Sequence, residues 1–146
     1  MTPNTKKLLA ENETIRIMYE HFMDQYKDEG KAIKSINYIG EQVKQPGCKL
    51  IHLGNIVFMI SVSASHMVEM HAMIGGHLSD DKKLDALDAQ LDELLRMLKQ
   101  FDAKLAYTYM PKNKVAKFRK VLKEYKFFER PVQHEGKTYT AFYVEV

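Results

Sequence analysis

The sequence predicts an α/β fold of the α+β kind, with a mixed, mostly antiparallel sheet flanked by helices. Three observations predict it. Apolar residues recur at helical spacing in the N-terminal third and then switch to strand-like runs near residue 49. One strongly amphipathic helical stretch separates two groups of strands. The unit spanning 67–110 reads as strand, crossover helix, strand, which implies one parallel pair with a right-handed connection inside an otherwise antiparallel sheet.

The elements follow in order. Residues 1–13 read as an irregular N-terminal segment. Over 14–26, Ile15, Met18, Tyr19, Phe22, Met23 and Tyr26 share one helix face, and Gly30 is the expected stop. Ile33, Ile36, Ile39 and Val43 mark a second helix, ended by Gln45-Pro46-Gly47 because proline disfavours helix before it. Residues 49–53, 56–64 and 67–74 are β-rich runs separated by Gly54-Asn55 and Ser65-His66, a three-stranded meander. After Gly75-Gly76-His77, Ser79 or Asp80 can cap a helix whose stripe is Leu84, Leu87, Leu91, Leu94, Leu95 and Leu98. Residues 104–110 form a fourth strand. Val115, Phe118, Val121, Leu122 and Tyr125 mark a fourth helix, 127–131 a short extended piece, Glu135-Gly136 a turn, and 139–146 a terminal strand. The order is α-α-β-β-β-α-β-α-β-β over one domain, residues 1–146.

A chain of 146 residues, 45% hydrophobic and 28% charged, suits one globular domain with its own core. Its single cysteine, Cys48, excludes an intrachain disulfide framework and is expected to be a small packing residue. No N-terminal apolar region reads as a signal peptide, and no apolar run approaches membrane-spanning length, so no membrane partner and a cytoplasmic location are expected.

Several local sequences carry a family likeness. Lys104-Leu105-Ala106-Tyr107-Thr108-Tyr109-Met110 is similar to the fifth strand of the GNAT family of N-acetyltransferases, which splays from the fourth to admit the cofactor. Asn113-Lys114-Val115-Ala116 resembles that family's N-x-x-A helix start. Tyr125-Lys126-Phe127-Phe128 sits where the family often has glycine-phenylalanine, and 136–146 fits its final hairpin. The element order is also that of a GNAT protein, covering roughly residues 14–146, with only the usual first strand not evident. From Asn113 onward the chain resembles small GNAT-like proteins of tailed phages, some of them virion or head-assembly components.

The resemblance implies acetyl-CoA as cofactor, held through its pyrophosphate by a glycine-bearing loop at the start of the crossover helix. Here that stretch is Gly75-Gly76-His77-Leu78-Ser79-Asp80-Asp81-Lys82-Lys83-Leu84, without the G-x-G spacing and with two carboxylates where an anion would bind. Gly75, Gly76, Lys82, Lys83 and Asn113 are the candidate cofactor-binding residues, and the cofactor is either none or acetyl-CoA. A base must take a proton from the acceptor amine. Glu69 and His71, two apart on one strand face, are the candidates, although the same pattern suits a solvated polar face. In the family a tyrosine of the fourth helix often returns a proton to the thiolate. Here counting on from Asn113 gives Lys120 and counting back from Phe127 gives Leu122, neither a tyrosine; Tyr107 and Tyr109 lie on a strand near the expected cleft, and Tyr109 is the candidate.

Other constellations point elsewhere. His66 and His71 are five apart and face opposite ways on a strand, so the six histidines predict no metal site. Nine methionines, Met67, Met70, Met73 and Met110 among them, suit core packing. The fourth helix is basic, with Lys112, Lys114, Lys117, Arg119, Lys120, Lys123 and Lys126, while the third is acidic, with Asp85, Asp88, Asp92 and Glu93. Such faces suit a protein partner or head-to-tail self-association. A nucleic-acid role for the basic helix lacks any accompanying recognition motif. The expected function is therefore a GNAT-fold protein with a degenerate acetyl-CoA loop, weakly catalytic or non-catalytic, acting in protein assembly in a host cytoplasm or a phage virion. An active acetyl-CoA-dependent N-acetyltransferase and a nucleic-acid-binding module are the alternatives.

Overall fold

The computed structural model describes residues 2–146. The N-terminal segment is not irregular: Pro3–Glu11 is a helix (α1), and proline stands at its first position, where no amide partner is needed. Asn12 then starts α2 (Glu13–Tyr26) by accepting from the Ile15 amide at 3.1 Å. This helix stops at Lys27, which turns left-handed (φ 55°) and donates its N–H to the Met23 carbonyl. Gly30 is therefore not the stop. Asp28 accepts from the Lys31 amide at 2.9 Å and caps a new helix, α3 (Glu29–Gln42), so Gly30 lies inside its first turn.

Three strands follow as expected: β1 (Cys48–Leu53), β2 (Ile56–Ala64) and β3 (Met67–Ile74). Ser79 caps α4 (Asp80–Gln100) through its Oγ and the Lys82 amide. Then come β4 (Leu105–Pro111), a 3-10 turn over Lys112–Lys114, and α5 (Val115–Val121). The helical stripe read to Tyr125 ends early, but a turn from the Leu122 carbonyl to the Tyr125 amide keeps Tyr125 over the core. The hairpin β5 (Phe127–His134) and β6 (Lys137–Glu145) closes the chain. Strand β5 runs past Pro131 because it is an edge strand, where a missing amide donor costs nothing in the ladder.

The six strands lie in the order β1-β2-β3-β4-β6-β5. All neighbours are antiparallel except β3 and β4, joined by the α4 crossover. The period-two alternation sends Phe58, Ile60, Val68, Met70, Ala106, Phe142 and Val144 to one face, under the leucine stripe of α4 and Phe118 of α5. The opposite face carries Val57 and Met73, covered by Ile17 and Met18 of α2 and Ile39 of α3.

One feature of the sheet positions the site. Strands β3 and β4 pair only through Met67↔Leu105, Val68↔Ala106 and Glu69↔Tyr107. Beyond that point β3 continues to Ile74 and β4 to Pro111 without pairing, so the two strands diverge into a V.

Candidate functional site

The V is a cleft of about 240 Å³. Its interior is apolar, built from Phe58, Met70, Ile74, Leu84, Leu87, Leu91 and Phe118. Its polar lining comes from His21, His71, Tyr109, Asp80, Lys83 and Lys114. These groups fall into two sets. One lies at the N-terminus of α4, and the other near the apex of the V.

At the apex, Glu69 and Tyr107 form the last paired position. His71 Nε2 lies 3.3 Å from Glu69 Oε1. The predicted pair is thus brought together, on the sheet face away from α4, and His71 lines the cleft itself. Tyr109, two residues beyond Tyr107 on the same face, also lines it. Burial pushes the Tyr109 hydroxyl above its ordinary value, with Tyr107, Glu69 and Tyr143 adding to the shift. An aromatic row extends from here. Tyr107 lies 5.4 Å from Tyr143, and Tyr143 stacks on Phe128 at 4.8 Å.

His21, a residue that no motif marks, lines the cleft from α2. Its Nδ1 accepts from the Ile74 amide at 3.3 Å. Burial and the neighbouring Lys83 lower its pKa to about 4, so the ring stays neutral. With Nδ1 accepting, the neutral ring carries its proton on Nε2. The only signal in the sequence is a polar residue at the edge of the apolar stripe of α2, between Tyr19 and Phe22.

The α4 end differs from the expectation. Gly75 and Gly76 are not free to cradle an anion. The Gly75 amide donates to the Asn55 carbonyl at 3.0 Å, and its own carbonyl accepts from Asn55 Nδ2 at 2.8 Å. A Cβ on Gly75 would stand 2.9 Å from Asn55 Oδ1, so the glycine is needed for this close approach. The Gly76 amide donates to Glu20 Oε1 at 3.1 Å. Lys83 Nζ is bound to Asp24 at 2.7 Å, and Asp24 also meets His77 at 3.3 Å. The hydrogen bond from Lys83 holds the Asp24 carboxyl well below the usual range. Lys82 and Asn113 are exposed and outside the cleft lining.

Asp80 and Asp81 stand at the α4 N-terminus, where negative charge is favoured. They face the start of α5: Lys114 Nζ lies 3.8 Å from Asp80, and Lys117 pairs with Asp81. Arg119 makes a two-pronged bond to Glu129, both contacts at 2.7 Å. The basic face of α5 is therefore partly neutralised within the chain. Tyr125 donates to Asp92 of α4, and burial with that carboxylate pushes its hydroxyl up to about 12, away from the cleft.

The cleft opens onto both sides of the sheet. His21, His71 and Ala72 also line a groove between α2 and α3 on the opposite face. Among the described residues no group of three or more His, Cys, Asp and Glu side chains is placed to hold a metal. No helix among them is long and apolar enough to cross a membrane.

A mixed sheet split between its two central parallel strands, with a helix N-terminus beside the split, is the fold of the GNAT acetyltransferases. Solved structures agree. A GNAT-family protein of Desulfovibrio desulfuricans matches with a TM-score of 0.62 at 9% identity, covering 90% of this chain and 91% of that one. A chimera of the Vibrio cholerae spermidine N-acetyltransferase SpeG and hSSAT matches with a TM-score of 0.60 at 10% identity, covering 92% of each. An uncharacterized protein of Bacillus halodurans matches with a TM-score of 0.61 at 12% identity, covering 92% of this chain and 79% of that one. No family model and no curated protein matches the sequence.

Proposed function

We propose that the chain is an acetyl-CoA-dependent N-acetyltransferase that uses the cleft between β3 and β4. The divergence of these strands after Glu69↔Tyr107 carries the reading. It leaves an apolar slot suited to the acyl-pantetheine arm, with ionisable groups at one end and a helix N-terminus at the other. When bound, acetyl-CoA supplies an activated acetyl carbon. The Glu69–His71 pair would take the proton of the acceptor amine and so free its nitrogen for acyl transfer. Tyr109, which lines the cleft, would return a proton to the thiolate. At the phosphate end Lys114 lines the cleft and Lys117 pairs with Asp81 beside it, and both would serve a phosphate once they leave Asp80 and Asp81.

Those same two bridges favour a second reading. A phosphate site already filled by its own carboxylates suits a non-catalytic domain acting in protein assembly, including the virion role that the C-terminal resemblance suggests.

Calorimetry with acetyl-CoA, paired with a thermal shift, separates the two. The enzyme reading expects heat and stabilisation, about 2.7 kcal/mol at a ligand concentration of ~100 Kd. No heat and no shift leaves the assembly reading. If acetyl-CoA binds, Glu69→Gln is expected to lower acetyl transfer by about 10²-fold without moving the melting temperature. Full turnover in that variant would remove Glu69 from the chemistry.

A further inference from the structure

We infer that the groove between α2 and α3 is the acceptor subsite, and that it takes a small aromatic amine carrying a carboxylate. This rests on the acetyl-transfer reading of the cleft.

The groove has a volume of about 780 Å³. Helix α2 presents Phe22 and Tyr26 to it, one turn apart, with their rings nearly parallel (13°) at 6.2 Å. Helix α3 presents Lys31, Lys34 and Tyr38, at the i, i+3, i+7 spacing of a single stripe. Tyr26 and Tyr38 stay exposed, at 41% and 60%. The aromatic walls offer flat platforms to a planar apolar body.

Charge sets the rest of the ligand. No carboxylate lines the groove. Neither Lys31 nor Lys34 makes an ion pair among the described residues. Two unmatched ammonium groups three residues apart, beside apolar walls, attract an anion and repel a polycation. The Glu69 carboxylate is outside the groove lining and contacts His71, which is part of it.

Position sets the amine. His71 and His21 line both the groove and the cleft, so the groove leads directly to the pair that would take the proton. A ligand with its carboxylate on the α3 lysines and its ring against Phe22 and Tyr26 directs an amine towards His71.

The test uses three pairs that differ by the carboxylate: phenylalanine with 2-phenylethylamine, tyrosine with tyramine, and tryptophan with tryptamine. Binding to the full chain is measured by calorimetry without acetyl-CoA, so failure of the cleft and failure of the groove are distinguished. At least one carboxylate member is expected to bind about tenfold more tightly than its partner at low salt. The double variant Lys31→Glu/Lys34→Glu is expected to reverse that preference, with circular dichroism confirming its fold. Equal or better binding of the plain amines, no binding by any of the six compounds, or an unchanged preference in the double variant would overturn the assignment.

Discussion

The two faces of the sheet are built to different standards. On one, the leucines of α4 and Phe118 of α5 meet a continuous apolar layer reaching from Ile51 on β1 to Phe142 and Val144 on β6. On the other, α2 and α3 cover the sheet around Val57 and Met73, and beyond them aromatic side chains take over, with Phe128 left 51% exposed. The first face holds the fold together. The second leaves room for a groove and brings Glu69, His71 and Tyr109 to the edge of the split. The larger core and the ionisable side chains of the cleft are thus divided between faces, and the split between β3 and β4 is where they meet.

That contrast can be broken most forcefully from the α4 side. Leu94 is fully buried in the larger core. Leu94→Ala is expected to cost about 2–5 kcal/mol, through lost transfer energy and the cavity left behind. Tyr38→Ala, on the exposed groove side, is expected to stay within about 0.5 kcal/mol of the parent. Urea unfolding of both variants measures the difference, and comparable losses would mean that the two faces share the load.

A smaller effect tests how His21 joins the faces. Its folded pKa of about 4 lies below the ordinary value for histidine. The unfolded chain therefore binds more protons between about pH 4 and 6.5, so the neutral ring's contribution is complete above ~6.5 and fades as pH falls towards 4. The charged groups facing the ring are Lys83 and Lys114, which lower the pKa, and Asp24, which opposes them. Relative to His21→Gln, the parent is expected to lose up to about 3 kcal/mol across that window. Parallel stability–pH curves for the two proteins would show that His21 does not titrate this way.

The sequence made some of this legible and concealed the rest for physical reasons. Periodicity located the α4 stripe and the meander because each depends on one repeated burial pattern. It misplaced the end of α2, where Asp28 starts a new helix before Gly30 is reached, and it missed α1, whose side chains are mostly exposed and so lack a strong stripe. Glu69 and His71 were legible because strand alternation alone puts them side by side. His21 was not, since its environment comes from β3 and α4, more than fifty residues away. The glycines misled for the same reason. Gly75 and Gly76 look like a phosphate loop in one dimension, but Asn55 and Glu20 claim their backbone groups in three.

The subtlest contrast lies between the ends of the cleft. At the apex, Glu69 and His71 meet within one strand. At the mouth, Asp80 and Asp81 hold Lys114 and Lys117 across two elements. A phosphate arriving at the α4 N-terminus must displace those carboxylates from the lysines. Removing the carboxylates should therefore favour it twice, by freeing two cations and by deleting two like charges. Asp80→Asn/Asp81→Asn is expected to bind acetyl-CoA about tenfold more tightly at low ionic strength, with the gain shrinking as salt screens the exposed charges. The melting temperature should move little, since exposed pairs of this kind contribute weakly to stability. If affinity is unchanged while acetyl-CoA still binds, the phosphates lie elsewhere and the mouth of the cleft is only a structural clasp. If affinity rises and the gain disappears with Lys114→Ala/Lys117→Ala added, the two lysines are the phosphate ligands and the aspartates are what restrains them.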